Sequence, residues 1–413
     1  MGNNENASES ANLSAPAVVV LAAGKGTRMK SELPKVLHPV MGRPIITHVL
    51  NAARYLSPAR LIVVTGYKSE QVEAEISSFG PTFVRQDNPK GTGQAVQCAT
   101  KALEGHDGPV VILPGDVPLI SPQTLIDFCD AHQALGVLLS VLTVRVADPS
   151  GYGRIVRDQK GWLERIVEHR DADETELAID EINSGFYIAD GSVLREAIFD
   201  LKPNNAQNEY YLTDVVAEFR ARGHLAAAIQ GPDPLEVQGI NDRRELALAQ
   251  SILRRRINDS WLLFGVTMDD PATTYIESSV KLSKDVSLGP GVMLTGSTKV
   301  GPGTVIGPYC RLRNVEVEQG ISLGAHLDLA DLKLTSDGQE EPIVAAPADG
   351  QLDRVQSPSP SETKAKENIR SKEKSQTASA KTTSTKSTSV KTRPTKATST
   401  KATSVKTTVA NDN

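Results

Sequence analysis

Leu282, Leu288, Leu294, Val300, Ile306 and Leu312 stand six residues apart, and a second track of Val280, Val286, Val292, Thr298, Thr304 and Cys310 runs two residues ahead of them. Glycine follows three of the aliphatic positions, at Gly289, Gly301 and Gly307. In a hexapeptide period of this kind each repeat supplies one short strand and one turn, and the repeats bury their aliphatic tracks only by stacking. The pattern predicts a short left-handed parallel β-helix. The rhythm slips by one residue at Val315/Val317, resumes at Ile321/Leu323 and Leu327/Leu329, and occupies residues 267–334. That length makes roughly three coils, near the minimum for a stable stack.

Ahead of the repeats the period changes. Apolar runs at Val18–Leu21, Leu61–Val64, Val110–Leu113 and Leu138–Val144 read as strands. Pro44–Leu56, Ser69–Phe79, Gly93–Leu103 and Pro122–Leu135 read as the helices between them. This alternation predicts a Rossmann-like α/β domain over residues 16–242, a doubly wound, mostly parallel sheet with its ligands at the carboxyl ends of the strands. A long helix, Arg243–Phe264, carries apolar Leu246, Leu248, Ile252, Leu253 and Ile257, and residues 243–266 link the domain to the repeats.

The first strand runs into Leu21-Ala22-Ala23-Gly24-Lys25-Gly26-Thr27-Arg28-Met29, with Lys30 and Lys35 close behind. Small residues let the backbone approach a ligand, their N–H groups can converge on an anion, and the basic side chains then meet phosphate charge. The loop is not G-x-x-x-x-G-K-[ST], and it lacks the third glycine of the dinucleotide fingerprint. A nucleoside triphosphate is the ligand such a loop suits.

Three cysteines without paired spacing fit a reducing compartment and offer no metal site. No apolar run reaches the length of a membrane span and the start has no signal-peptide core, so a soluble cytoplasmic protein is expected. The net charge of −5 is divided: from Ser361 onward 12 Lys and Arg face 4 Asp and Glu, which leaves −13 on the remainder. Residues 1–15 are expected to be disordered. So are residues 335–413, whose Lys, Thr, Ser and Ala repeats bury too little apolar surface to offset the entropy of ordering. Such a tail either solvates or binds nucleic acid or another polyanion in a salt-sensitive way.

Asp116 closes the apolar run Val110–Leu113 in Pro114-Gly115-Asp116. On position alone it reads equally as a metal ligand or as a turn aspartate. Asn241, in Gly239-Ile240-Asn241-Asp242, reads on position alone as a helix N-cap. Gln86 with Gly91-Thr92 reads as a polar loop, and the seven histidines, scattered without metal-ligand spacing, read as structural.

In combination these strings carry more. L-A-A-G-K-G-T-R-M with Leu33-Pro34-Lys35, Gly151-Tyr152-Gly153-Arg154-Ile155, Ile166-Val167-Glu168-His169-Arg170-Asp171-Ala172, Glu181-Ile182-Asn183-Ser184-Gly185 and Asn208–Asp214 follow one another in order. Together they resemble the bifunctional N-acetylglucosamine-1-phosphate uridyltransferase/glucosamine-1-phosphate acetyltransferase family over residues 17–330. The resemblance implies a nucleotidyltransferase fold and the conversion of UTP and N-acetylglucosamine 1-phosphate into UDP-N-acetylglucosamine and pyrophosphate. It implies Mg²⁺ held by Asp116 and Asn241, with Arg28 and Lys35 as catalytic cations. It places Leu21, Ala22, Ala23, Gly24, Lys35, Gln86, Gly91 and Thr92 around the nucleotide and Gly153, Glu168 and Asn183 on the sugar, with Tyr211 and Thr213 shaping the pocket. Two departures stand out: Pro114 where the family commonly has tyrosine, and Gln238 in place of an acid.

A homotrimer is also implied. The family continues through many more coils, which carry its acetyl-CoA site and catalytic histidine, whereas the hexads here stop near Ala330. Acetyltransferase activity is therefore expected to be absent. The alternatives are another sugar-1-phosphate nucleotidyltransferase, for example one using glucose 1-phosphate, and a non-catalytic sugar-nucleotide-binding protein tethered through its basic tail.

Overall fold

Val18, Val20 and Ala22 of the first strand, β1 (Ala17–Ala22), enter one apolar core while Ala17 and Val19 enter another. Apolar side chains on both faces are what a central strand with helices on either side demands. In the computed structural model, which describes residues 15–336 and the strand 340–342, β1 lies inside a nine-stranded sheet.

A small hairpin, β2 (Pro39–Val40) and β3 (Arg43–Pro44), leads into α1 (Ile45–Arg54). The alternation then runs β4 (Arg60–Thr65), α2 (Ser69–Ile76), β5 (Thr82–Arg85), α3 (Thr92–Ala99), β6 (Pro109–Pro114), α4 (Pro122–Leu135) and β7 (Leu139–Arg145). A second hairpin, β8 (Arg154–Arg157) and β9 (Leu163–Val167), and the short α5 (Glu174–Leu177) precede β10 (Glu181–Asp190). The domain closes with α6 (Gly191–Ala197), α7 (Val215–Ala221), β11 (Ala226–Gln230) and the long α8 (Arg243–Phe264).

The sheet order is β11-β7-β10-β6-β1-β4-β5, with the β8–β9 hairpin attached to β10. β1 pairs in parallel with both β4 and β6, as the strand–helix alternation predicts. β10 is the exception: it lies antiparallel between β6 and β7. Its register on β7 shifts between Asn183 and Tyr187, a bulge of the kind that re-aims a side chain. Helices α1, α2 and α4 cover one face and α3, α6 and α7 the other.

From Thr267 the chain coils. Ser287 pairs in parallel with Val305, eighteen positions on, and Tyr275 with Met293 likewise. After the slip at Val315 the step shortens to seventeen, as in Lys299 with Glu316. Three parallel stacks result, each with four strands from successive rungs. The first track is buried throughout the hexads from Leu282 to Leu312. Polar members of the second track are satisfied inside: the Thr298 hydroxyl donates to Thr295 O (2.7 Å) and the Thr304 hydroxyl to Glu318 O (2.9 Å). The coil therefore has four rungs: the strands Thr267–Met268 and Tyr275–Ile276 precede the first hexad at Val280/Leu282, and Leu332–Leu334 follows the last at Leu327/Leu329.

Order also extends past the expected end at residue 335. The strand Glu340–Pro342 pairs antiparallel with Leu332–Leu334 and satisfies an edge the last rung would otherwise leave open. The expected disorder of the first residues and of the Lys/Thr/Ser/Ala tail lies outside the described residues.

The first rung is seated on the β2–β3 hairpin. Val40, Met41 and Ile45 share a cluster with Ala249 of α8 and Tyr275 of the rung, and both the backbone N–H and the hydroxyl of Ser278 donate to Met41 O at 3.2 Å.

Candidate active site

β1, β4, β5 and β6 run parallel, so their carboxyl ends fall along one edge. Each strand gives way there to polar or small residues: Ala23 and Gly24 after β1, Gly66 and Tyr67 after β4, Gln86 after β5, and Gly115 and Asp116 after β6. Backbone bonds from Gly115 N to Leu21 O (2.9 Å) and from Tyr67 N to Ala23 O (3.3 Å) lock the turns together. The expected nucleotide residues Leu21, Ala22, Ala23 and Gly24 thus lie beside Asp116.

The expected metal ligands and cations meet there. The Lys35 ammonium forms an ion pair with the Asp116 carboxylate, both side chains largely buried at 14 % and 22 % exposure. It also lies 3.5 Å from Asn241 Oδ1, to which Arg28 Nη2 donates at 2.9 Å. Asn241 does not cap the helix. That task falls to Asp242, whose carboxylate accepts from Arg244 N (2.8 Å) and Glu245 N (3.0 Å), leaving the Asn241 side chain to the site. Ile240 N donates to Asp116 O at 2.9 Å, Asn241 N donates to the Glu245 carboxylate, and Arg243 Nε holds Met29 O at 3.2 Å behind Arg28.

Gly26 explains how Lys35 comes this close. Its φ is +63°, and a Cβ there would stand 2.5 Å from Lys35 Cβ. Only glycine meets both demands.

Asp116 and Asn241 are a small donor set, and among the described residues no group of three His, Cys, Asp or Glu could hold a metal. Two protein oxygens suit Mg²⁺, which keeps waters and substrate phosphates for the rest of its octahedron. A cavity of about 540 Å³ along the loop after β1 is lined by Lys25, Thr27, Lys30, Ser31, Glu32 and Tyr67. Lys25 and Lys68 stand over the Tyr67 ring at 5.7 Å and 5.4 Å, and Lys68 reaches Glu32 at 3.2 Å.

At the end of β5, Gln86 is 4 % exposed. Its Nε2 donates to Gly91 O (3.0 Å) and Gln94 Oε1 (2.9 Å), so that nitrogen is spent within the loop. Gly91, with φ +105°, caps α3 with the Tyr210 carbonyl so near that a Cβ would fall 2.4 Å from it. Thr92 Oγ1 accepts from Leu212 N at 3.2 Å, which ties the 208–213 segment to the same place.

The three expected sugar residues also converge. A Cβ on Gly153 would lie 3.6 Å from both Asn183 Cβ and Glu168 Cδ. Asn183 N donates to Gly153 O (2.9 Å), and Asn183 Oδ1 accepts from Gly185 N (2.9 Å) across the β10 bulge. Thr213 donates to Glu168 at 3.3 Å. Burial pushes the Glu168 carboxyl up, and the negative charges of Asp214 and Asp171 push it the same way against the Thr213 hydroxyl.

Tyr152 carries no signal of its own in the sequence, although it sits inside the Gly-Tyr-Gly string. Its phenol is raised by burial and by the charges of Glu245 and Asp116, and lowered by Arg28. The ring therefore stands within electrostatic reach of Asp116 and Arg28.

The MobA-like NTP transferase domain family matches residues 18–173. The chain is 43 % identical over 322 residues to the bifunctional protein GlmU of Geotalea uraniireducens (strain Rf4), which covers 78 % of this chain and 70 % of that protein. It is 44 % identical to bifunctional protein GlmU of Corynebacterium diphtheriae, over 73 % of this chain and 64 % of that one. Against bifunctional protein GlmU of Thermobifida fusca the identity is 45 %, over 73 % and 63 %. The chain thus spans roughly two thirds of the length of these relatives. A crystal structure of UDP-glucose pyrophosphorylase complexed with UDP-glucose overlays 59 % of the chain with a TM-score of 0.47 at 20 % identity.

Proposed function

The chain belongs to the GlmU family of nucleotidyltransferases, and from that premise we propose that it joins UTP to N-acetylglucosamine 1-phosphate and releases pyrophosphate. The observation that carries this reading is the meeting of Lys35 and Arg28 with Asp116 and Asn241 at the carboxyl edge of the parallel strands, together with the convergence of Gly153, Glu168 and Asn183.

The uridine nucleotide lies along Leu21–Gly24, with its base toward Gln86, Gly91 and Thr92. The sugar phosphate lies over the β8–β9 hairpin, where Glu168 accepts from ring hydroxyls and the Gly153 N–H and Asn183 orient the amide-bearing sugar. An oxygen of the sugar phosphate attacks the α-phosphorus in line, a new P–O bond forms, and the bond to the β-phosphate breaks. Lys35 and Arg28 move from Asp116 and Asn241 onto phosphate oxygens and stabilise charge that builds in the transition state. Mg²⁺, held by Asp116 and Asn241, neutralises the triphosphate when bound. Holding two anions side by side is the main task, because phosphoryl transfer asks little covalent chemistry of the protein.

The test is pyrophosphate release with four nucleoside triphosphates and three sugar 1-phosphates. UTP with N-acetylglucosamine 1-phosphate is expected to give the highest kcat/KM, by about tenfold or more. A higher value for glucose 1-phosphate or another nucleotide overturns the substrate assignment, and no turnover with any pair leaves only sugar-nucleotide binding. An acetyl-CoA assay with glucosamine 1-phosphate tests the expected lack of acetyl transfer, and sedimentation tests the homotrimer. No helix among the described residues is long and apolar enough to cross a membrane, in keeping with a cytoplasmic reaction. Binding of the basic tail to nucleic acid is tested by salt-sensitive DNA retention lost on truncation at Ser357.

A further inference from the structure

Arg154, the residue after Gly153, is 1 % exposed and stands first among the largest fully buried side chains. Its Nη1 donates to the carbonyls of Pro149 (2.6 Å) and Tyr152, and its Nη2 lies 3.3 Å from His169 Nδ1. Arginine can only donate, so His169 accepts there as the neutral ring. No carboxylate pairs with the guanidinium among the described residues, and its Nε has no partner. Asp148 is engaged with the Ser150 N–H and acts on Arg154 only from a distance. A buried charge without a counter-ion is costly, so only the acceptors it satisfies hold it there.

What the guanidinium does is geometric. It ties the 149–153 segment to the chain just beyond β9, and each end of that tie carries part of the sugar pocket. Gly153 adjoins Arg154, and Glu168 adjoins His169. The carbonyl it holds at Tyr152 directly precedes Gly153 in the chain. A planar fork with donors in fixed directions can span two carbonyls and an imidazole, which the point charge of lysine cannot.

We propose that Arg154 is a positioning residue for the sugar phosphate: it sets the spacing between Gly153 and Glu168. This rests on the reading that Gly153, Glu168 and Asn183 hold the sugar.

The test uses the full chain with Arg154→Met, His169→Leu and His169→Asn. Three quantities are read: KM for the sugar 1-phosphate, Kd for UTP by calorimetry, and Tm. Losing charge-assisted bonds that shape one pocket should raise the sugar-phosphate KM roughly ten- to hundredfold in Arg154→Met. The UTP Kd should stay within about twofold, while Tm falls modestly because the carbonyls of Pro149 and Tyr152 lose their donor. His169→Leu should raise the same KM, and His169→Asn, which restores an acceptor oxygen near the Nδ1 position, should recover most of it. An unchanged KM in Arg154→Met, or a parallel loss of UTP binding, overturns the proposal. If Arg154→Met does not fold, the His169 pair decides: equal effects in Leu and Asn overturn it. Failure of the underlying substrate assignment shows separately, as an unmodified protein that does not turn over N-acetylglucosamine 1-phosphate. The comparison is then made with whichever sugar 1-phosphate it uses or, without turnover, binds.

Discussion

The ammonium of Lys35 rests on the carboxylate of Asp116, and the guanidinium of Arg28 rests on the amide oxygen of Asn241. Two cations cover the two oxygens a divalent ion needs. Of the two cations only Lys35 meets an opposite charge, since Asn241 is neutral, and on the proposed mechanism both must leave these oxygens before they can serve phosphate.

That competition is measurable. In Lys35→Ala the carboxylate loses its built-in counter-ion, so Mg²⁺ should raise Tm at lower concentration than in the unmodified protein. Turnover should fall by about 10²–10³, the usual effect of removing one group that stabilises transition-state charge. Identical Mg²⁺ midpoints in a melting titration would show that Lys35 and the metal do not share Asp116.

Removing the other partner gives the opposite pattern. Asp116→Ala should lower kcat/KM by about 10³ and abolish the Mg²⁺ dependence of Tm. Near-normal turnover in that variant sinks the metal assignment.

Glu168 supplies a pH signature. A carboxyl whose folded value is raised adds stability below its unfolded value and loses it as pH rises through the folded value. Ionised Glu168, buried near Asp214 and Asp171, therefore weighs on the fold at neutral pH. Glu168→Gln should melt higher than the unmodified protein at pH 7.5, and the difference should shrink as pH falls toward the ordinary carboxyl value of 4.5. Its KM for the sugar phosphate should rise by about tenfold, the worth of one charged hydrogen bond. A lower Tm at pH 7.5 contradicts the burial argument.

Gly26→Ala tests the path of the loop. The added methyl meets Lys35 Cβ in a backbone conformation that L side chains rarely adopt. Stability should drop by about 1–3 kcal/mol, and kcat should fall with it as Lys35 is displaced. Unchanged kcat with normal stability would mean that the loop relaxes without moving the cation.

Much of this architecture is written in short-range pattern. The six-residue tracks announce the coil because each hexad repeats one local conformation, and the apolar run Val18–Leu21 announces a strand covered on both faces. α4 and α8 are readable to their ends. Ser121 and Asp242 cap their first turns, and Gly136 and Gly265 close their last with positive φ. The direction of β10 is not readable, since antiparallel insertion between β6 and β7 is decided by partners far away in the chain. Asn241 is ambiguous for a related reason. Asn and Asp are both good caps, and only the structure assigns the cap to Asp242. Arg154 stands in plain view within Gly-Tyr-Gly-Arg, but nothing local says that an arginine will be enclosed rather than solvated.

The Ser278–Met41 contact ties the coil to the machinery it follows. The hairpin that Ser278 grips begins at Pro39, four residues after Lys35, so a cleavage of the repeats should reach the segment that carries this lysine. Excising the coil after Phe264 would strip that hairpin of its support, and the enzyme would soften at its reacting centre rather than simply grow shorter.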